Sequence, residues 1–476
     1  MALVRSVLVG GYAVHSILPP ACTMNLLPAI DGFFFRRISA SGFGLMRMAW
    51  AATALAYLLP QWRDITLLYS DAGMIPHTLS AVAYRNEYRF SLLDTYTHPA
   101  AVYGLFLLLL TMLFCAMIGW RTRFSTVVAA LLLFSFHEAN LLPLGGGDTV
   151  LRNLGFLLMI APQIRAFSLD RAREQWRQWE TDRTFLRPLT MSIWPWRLLV
   201  WQFIVIYIAS GIDKATGTMW WNGTAVASAL HHGHFARWPM PVMDIVSRAS
   251  GLVCAAVLVF EFGWLLMLMP NRFAMRVQEY IHPHAIRRAL LLSGVLFHSS
   301  IFALMDVGSF SVAMLAGYLG LLLQEDFRDM QKWVKGIRGK RRAGWRIVVL
   351  YDAACHLCRR SMFTLLLCDH LQRLQAVNFR DRALRKQYAP DIALQDLDRS
   401  MHIKIQAESC QLSAVSFHGF DAFRKLAWHI PILWPLAPLL YIPGIPPLGR
   451  TMYAHIAKNR NRCADGYCVH DSTANR

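Results

Sequence analysis

Charge is what this sequence has least of. Of its 476 residues, 16% are charged and 55% hydrophobic. That excludes an ordinary soluble chain of this length, whose residues are about one quarter charged. Acidic residues are scarcer still, with 29 Asp and Glu against 48 Lys and Arg and a formal net charge of +19. The basic residues fall between apolar runs and build no continuous basic face, so no nucleic-acid partner is expected. Cysteine is nearly missing from the first three-quarters of the chain. Cys22, Cys115 and Cys254 sit in apolar surroundings and read as buried hydrophobes, whereas Cys355, Cys358, Cys368, Cys410, Cys463 and Cys468 all come late. No cleavable leader is expected either. Residues 4–18 carry only Arg5 and a short apolar run, with no small-x-small site after it, so residues 1–34 read as an N-terminal extension.

Apolar runs of membrane length are what the chain has instead. They recur at residues 43–59, 99–120, 125–142, 149–164, 194–211, 246–269, 289–305 and 309–323. The expected fold is a polytopic α-helical membrane bundle of about eight spans over residues 35–325. A basic linker at 326–344 and a C-terminal α/β domain at 345–476 follow it. Basic residues mark alternate connections: Arg36 and Arg37, Arg121 and Arg123, the arginines from Arg165 to Arg197, Arg272 to Arg288, and the run after Lys332. The positive-inside rule puts those connections, and both termini, in the cytoplasm. The expected location is therefore a bacterial inner membrane, with the lipid bilayer as one partner.

The span that begins at residue 194 runs into Asp213 and Lys214, then Trp220 and Trp221, which reads as a helix mouth at the outer membrane surface. Arg47, Asp148, Arg152, Glu261, His298 and Asp306 are the other costly polar residues in or beside spans. Each taken alone reads equally well as a structural polar pair. Together they suggest a polar cavity, with Lys214 as its candidate base, because partial dehydration at such a mouth makes a lysine usable in proton transfer. His231, His232 and His234 lack a carboxylate at ligand spacing, and no metal is expected there.

The bundle resembles a known family. Phe43-Gly44-Leu45-Met46-Arg47, Tyr69-Ser70-Asp71-x-Gly73, Gly147-Asp148-x-x-x-Arg152, Gly211-x-x-Lys214 with Trp221-x-Gly223-Thr224-Ala225, and Phe297-His298 with Gly308-x-Phe310 are similar to the HTTM proteins. These are horizontally transferred transmembrane proteins related to vitamin K-dependent γ-carboxylase. The resemblance implies Lys214 as the base, Asp148, Arg152 and His298 in support, and a vitamin K-like quinone as cofactor of the bundle; Asp213 and Glu261 join the supporting set as polar residues in or beside the spans. The large soluble region of the carboxylase is replaced here by a different domain.

In that domain a β-rich run at 345–351 leads into Cys355-His356-Leu357-Cys358 and a helical pattern to Cys368. Further strands are expected at 374–379 and 401–405, and a helix at 422–429. CxxC at a strand-to-helix junction is the thioredoxin-like plan. There Cys355 would meet free backbone N–H groups and the positive end of the helix dipole, and Cys358 would resolve a mixed disulfide. The residues leave two alternatives open: structural thiols, or half of a zinc site completed by Cys463, Cys468 and His470. Residues 346–463 resemble the DCC-type thiol–disulfide oxidoreductase-like family. The matches are Tyr351-Asp352-Ala353-Ala354-Cys355-His356-Leu357-Cys358, Met401-His402, Gly419-x-Asp421-Ala422 and Tyr453-x-x-Ile456-Ala457-x-Asn459-Arg460. Ala353 departs from the family's glycine. The resemblance implies Cys355 as nucleophile and Cys358 as resolving thiol, with Tyr351, Asp352 and His356 around them.

Three functions follow as expectations. One is a membrane thiol–disulfide oxidoreductase working in the reductive direction with a cytosolic thiol partner. A second is a membrane enzyme that modifies a peptide in toxin or natural-product maturation, with Lys214 as base. A third is a non-enzymatic membrane protein with a structural or metal-binding CxxC.

Overall fold

The computed structural model describes residues 26–74, 90–140, 144–268, 284–337, 345–369, 373–407, 410–459, 462–464 and 467–469. The expectations for residues 4–18, for the connector around Arg272 and Arg276, and for the linker's basic run at 338–344 lie outside them. The side chains of Cys410, Cys463 and Cys468 do as well. The chain divides into two compact units. One comprises residues 1–117, 123–164 and 189–321; the other comprises 118–122, 165–188 and 322–476.

The first unit is helical. Among the described residues five of its helices are long and apolar enough to cross a membrane: Ser41–Arg63, Pro99–Ile118, Trp194–Thr216, Ser250–Leu268 and Ala285–Leu304. Their outward faces are strongly apolar. Leu252 is 77% exposed, Val259 74% and Leu296 72%, which suits hydrocarbon and not water. The runs expected at 125–142, 149–164 and 309–323 fold as the shorter or less apolar helices Thr122–Ala139, Gly146–Ile160 and Phe310–Gly320. The last has 11 residues, about 16 Å against the ~30 Å of a hydrocarbon core. It is central instead, burying Ala313, Met314, Ala316 and Tyr318. Gly317 permits this close packing, because a Cβ there would overlap the Phe203 ring. Arg47 is fully buried and donates to the carbonyls of Ile164, Ala116 and Met117. It thereby ties the ends of two helices together, a structural use of a costly charge.

The second unit is built on a four-stranded sheet. Strand Trp345–Tyr351 lies between Leu374–Asn378, to which it is parallel, and His402–Ala407, to which it is antiparallel; Cys410–His418 forms the far edge. Ile347, Val348, Val349 and Leu350 are all 0% exposed, so both faces of the central strand are covered. That explains why it reads as an unbroken apolar run. Alternation divides the residues. Ile347, Val349 and Tyr351 join Met362 and Phe363, while Val348 and Leu350 join Val377, Phe379 and Leu397. The crossover helix His356–Cys368 carries the CxxC motif. Helix Gly419–Ala427 and helix Ile445–Lys458 complete this side.

Between the last two helices the apolar stretch is broken into short turns at Pro431–Leu433 and Leu439–Tyr441. Ala437 and Leu440 are buried there, while Leu436, Leu439 and Ile442 are exposed. One helix of this unit comes from far earlier in the chain. Leu169–Asp182 is capped by the Ser168 hydroxyl, which accepts from the Arg171 N–H at 3.0 Å, and ends at Arg183 with φ 57°. Its Trp179 is 3% exposed and belongs to the same apolar cluster as Tyr351 and Phe363.

Candidate functional site

Strand Trp345–Tyr351 ends where the chemistry begins. Cys355 is the N-cap of helix His356–Cys368, with extended backbone at φ −90°, and is fully buried. Its Sγ accepts from the Cys358 N–H at 3.2 Å. A sulfur in that position meets the unsatisfied N–H groups of the first helical turn and the positive end of the dipole, which favour negative charge. Cys358, one turn on, is half-buried.

Asp352 fixes the turn that precedes Cys355. It is 1% exposed, and its Oδ1 accepts from the Ala354 N–H at 3.0 Å. Arg380 grips the same carboxylate with two bonds, Nε to Oδ1 at 3.0 Å and Nη2 to Oδ2 at 2.9 Å, and also reaches Asp398 at 2.8 Å. Arg380 is held above its ordinary pKa, first by its hydrogen bond to Asp352 and then by the charges of Asp352, Asp398 and Cys355, against the opposing effect of burial. The site thus sets a fixed cation in the field of Cys355.

Sequence reasoning named Asp352 and missed Arg380. Its place follows from strand register, which no local motif carries. In the parallel register Tyr351 stands opposite Asn378, so the residues just after 378 must lie beside 352 and 353. The Asn378 side chain confirms that closeness, accepting from the N–H groups of Ala353 and Arg380 at 3.3 and 3.1 Å. Ala353 fits without strain. Among the described residues the non-glycine ones with positive φ are Arg121, Phe167 and Arg183, and Ala353 is not one of them.

Helix Leu169–Asp182 covers the outer side of the cysteine helix. Trp176 meets His356 edge-on at 6.2 Å and Phe363 at 5.2 Å, and Trp179 packs over Tyr351 at 6.4 Å. Arg359 pairs with Glu180 at 3.7 Å. Tyr351 is buried, and burial raises its hydroxyl pKa against the opposing charges of Arg183 and Arg359. His356 therefore packs as an aromatic ring beside the thiols.

In the helical unit the polar residues form separate groups. Lys214 Nζ donates to Glu261 Oε1 at 2.8 Å and to the Ser210 hydroxyl, and lies 5.4 Å from the Trp220 ring. Glu261 is 2% exposed, whereas Asp213 is exposed and points elsewhere. His298, fully buried, hydrogen-bonds through Nε2 to the Tyr207 hydroxyl at 2.8 Å, and Tyr207 also bonds Tyr318. Gly294 gives Tyr318 its space, since a Cβ there would overlap the phenol.

Asp148 caps its own helix, accepting from the Gly145 N–H at 2.8 Å, and stands 3.7 Å from His137. Arg152 pairs instead with Glu138. Asp148 and Arg152 therefore have different partners, and Lys214 has others again, in Ser210 and Glu261. His231 bonds Asp244 at 2.7 Å. Among the described residues no group of three or more metal-ligating side chains is gathered.

Over 348 residues the sequence is 21% identical to sporulation-delaying protein SdpB of Bacillus subtilis (strain 168), an overlap of 70% of this chain and 100% of that protein. No solved structure matches. Residues 349–465 match the DCC1-like thiol-disulfide oxidoreductase family. The chain therefore joins helices long and apolar enough to cross a membrane to a C-terminal DCC1-like thiol-disulfide oxidoreductase domain.

Proposed function

We propose that this chain is a multi-pass membrane thiol–disulfide oxidoreductase of thioredoxin-like plan, with Cys355 as nucleophile and Cys358 as resolving thiol. The observation that carries the reading is the buried Cys355 sulfur at the N-terminus of its helix, bonded by the Cys358 N–H. In the reductive half-reaction the Cys355 thiolate attacks a substrate disulfide and releases one substrate thiol. Cys358 then attacks the mixed disulfide, releases the second thiol and leaves the Cys355–Cys358 disulfide. The basic connections support about eight spans with both termini, and hence the thiols, in the cytoplasm of a bacterial cell. A cytosolic dithiol is kept reduced, which favours the reductase direction.

Thiol trapping tests the chemistry and the orientation together. A membrane-impermeant reagent should label Cys355 and Cys358 only after cells are permeabilised. Wild type should pass between dithiol and disulfide, whereas Cys355→Ser should abolish cycling. Labelling in intact cells, or unchanged cycling in Cys355→Ser, would sink the reading.

A second reading is favoured by the Lys214, Ser210 and Glu261 group. The helical unit would act on a peptide, with Lys214 as base and the HTTM-like motifs providing a quinone site. Glu261 Oε2 and His298 Nδ1 are buried and have no hydrogen-bond partner among the described residues. They fit a polar ligand, and a quinone there would supply the oxidative chemistry. Lys214 is ion-paired, so it becomes a base only after its proton passes to Glu261 or onward. Product mass analysis in cells carrying Lys214→Ala decides: a lost modification supports the role, and an identical product refutes it.

A further inference from the structure

A cavity of about 580 Å³ opens beside Cys358, between the cysteine helix and the last two described helices of the second unit. Cys358, Met401, Phe420, Phe423, Met452 and Ile456 are among its walls. Its size is that of a small-molecule site, and its lining is largely apolar with few polar groups, as such sites are.

The structure argues against an extended peptide as the occupant. A peptide laid beside a redox cysteine binds best through main-chain hydrogen bonds to an exposed backbone edge. The backbone at Met401, in the cavity wall, is already engaged. Its N–H donates to the Tyr453 hydroxyl at 2.8 Å, and its carbonyl accepts from the Gly419 N–H at 2.9 Å. Other polar groups in the wall are committed as well, Asp352 to Arg380 and the Thr364 hydroxyl to the Arg360 carbonyl at 2.9 Å. Ser361 and Ser400 line the same space, and their hydroxyls would suit carbonyl oxygens on a ring.

The cavity also continues onto an apolar surface. Along helix Ile445–Lys458, Leu448 is 58% exposed, Met452 57% and Ile456 50%, at the four-residue spacing of a single helical stripe. Met452 and Ile456 belong both to that stripe and to the cavity wall. An apolar entrance on a chain with membrane-length helices suits a ligand that dissolves in lipid.

We propose that this cavity binds a lipid-soluble quinone and that the Cys355–Cys358 dithiol reduces it. The proposal rests on the redox reading of those two cysteines. The step balances: two thiols give up two electrons and two protons and become the disulfide, while the quinone takes both and becomes the hydroquinone. A cytosolic thiol partner then restores the dithiol. The apolar walls hold the ring by burial, and Cys358 lies within the binding space.

The experiment uses the full-length chain in detergent, fully reduced, with a ring-substituted ubiquinone bearing one isoprenoid unit as probe. Wild type should form one hydroquinone for each Cys355–Cys358 disulfide. Two cavity-filling variants, Ile456→Trp and Ala457→Phe, should slow quinone reduction at least about tenfold. They should keep the wild-type thermal midpoint and still be oxidised by diamide. Wild-type quinone rates in both variants would overturn the site. So would quinone that leaves the thiols reduced while diamide oxidises them, and in both cases the redox reading stands. If neither oxidant joins Cys355 to Cys358, both readings fall.

Discussion

Arg380 holds Asp352 with a two-pronged grip that a lysine could not reproduce, and this fixes the turn through which the chain enters the cysteine helix. A fixed cation there should favour thiolate over thiol at Cys355. Arg380→Leu should therefore slow alkylation of Cys355 at neutral pH by about tenfold, with the alkylation rate recovering as pH rises. A pH profile of alkylation identical to wild type would show that the guanidinium only supports the fold. Cys355 and Cys358 were legible in the sequence because a CxxC motif is local: two residues, one turn and one helix end. Arg380 was not legible as a partner because its place depends on strand register, which is set by pairing across 25 or more positions. Lys214 teaches the same lesson in a helix. Adjacent residues point about 100° apart, so Asp213 could not share the face of Lys214. The real partner, Glu261, lies on another helix.

Among elements, helix Leu169–Asp182 shows where periodicity informs and where it stops. Its run of charged, helix-forming residues suits a helix, and Trp176 and Trp179, three apart, fall on one side of it. Nothing local said what that side would meet. It meets Tyr351, His356 and Phe363. Trp179→Ala should remove the unit's largest contribution from this helix and cost about 3 kcal/mol or more, read as a lower denaturation midpoint of the thiol-bearing unit. An unchanged midpoint would show that the helix is dispensable. The apolar helices tell a related story. Composition located the runs at 149–164 and 309–323, but not that they would fold as the short helices Gly146–Ile160 and Phe310–Gly320. Hydropathy reports preference for an apolar medium, and a protein interior satisfies that preference as well as lipid does.

In the whole molecule, the thiol-bearing unit is assembled from three stretches, 118–122, 165–188 and 322–476. Asp170 joins two of them, accepting from the Arg121 and Thr122 N–H groups at 3.1 and 2.7 Å. This has a consequence for biosynthesis. A ribosome makes the chain from its N-terminus, so Trp179 emerges roughly 170 residues before Tyr351, the strand residue it will cover. Until then its apolar side has no partner within its own unit, while four or more apolar helices are still being made. The unit therefore closes late, by a contact of very long sequence separation, which is a slow kind of folding step. A chain that ends between residues 182 and 351 leaves that helix without its cover, a ready signal by which quality control tells an unfinished chain from a complete one.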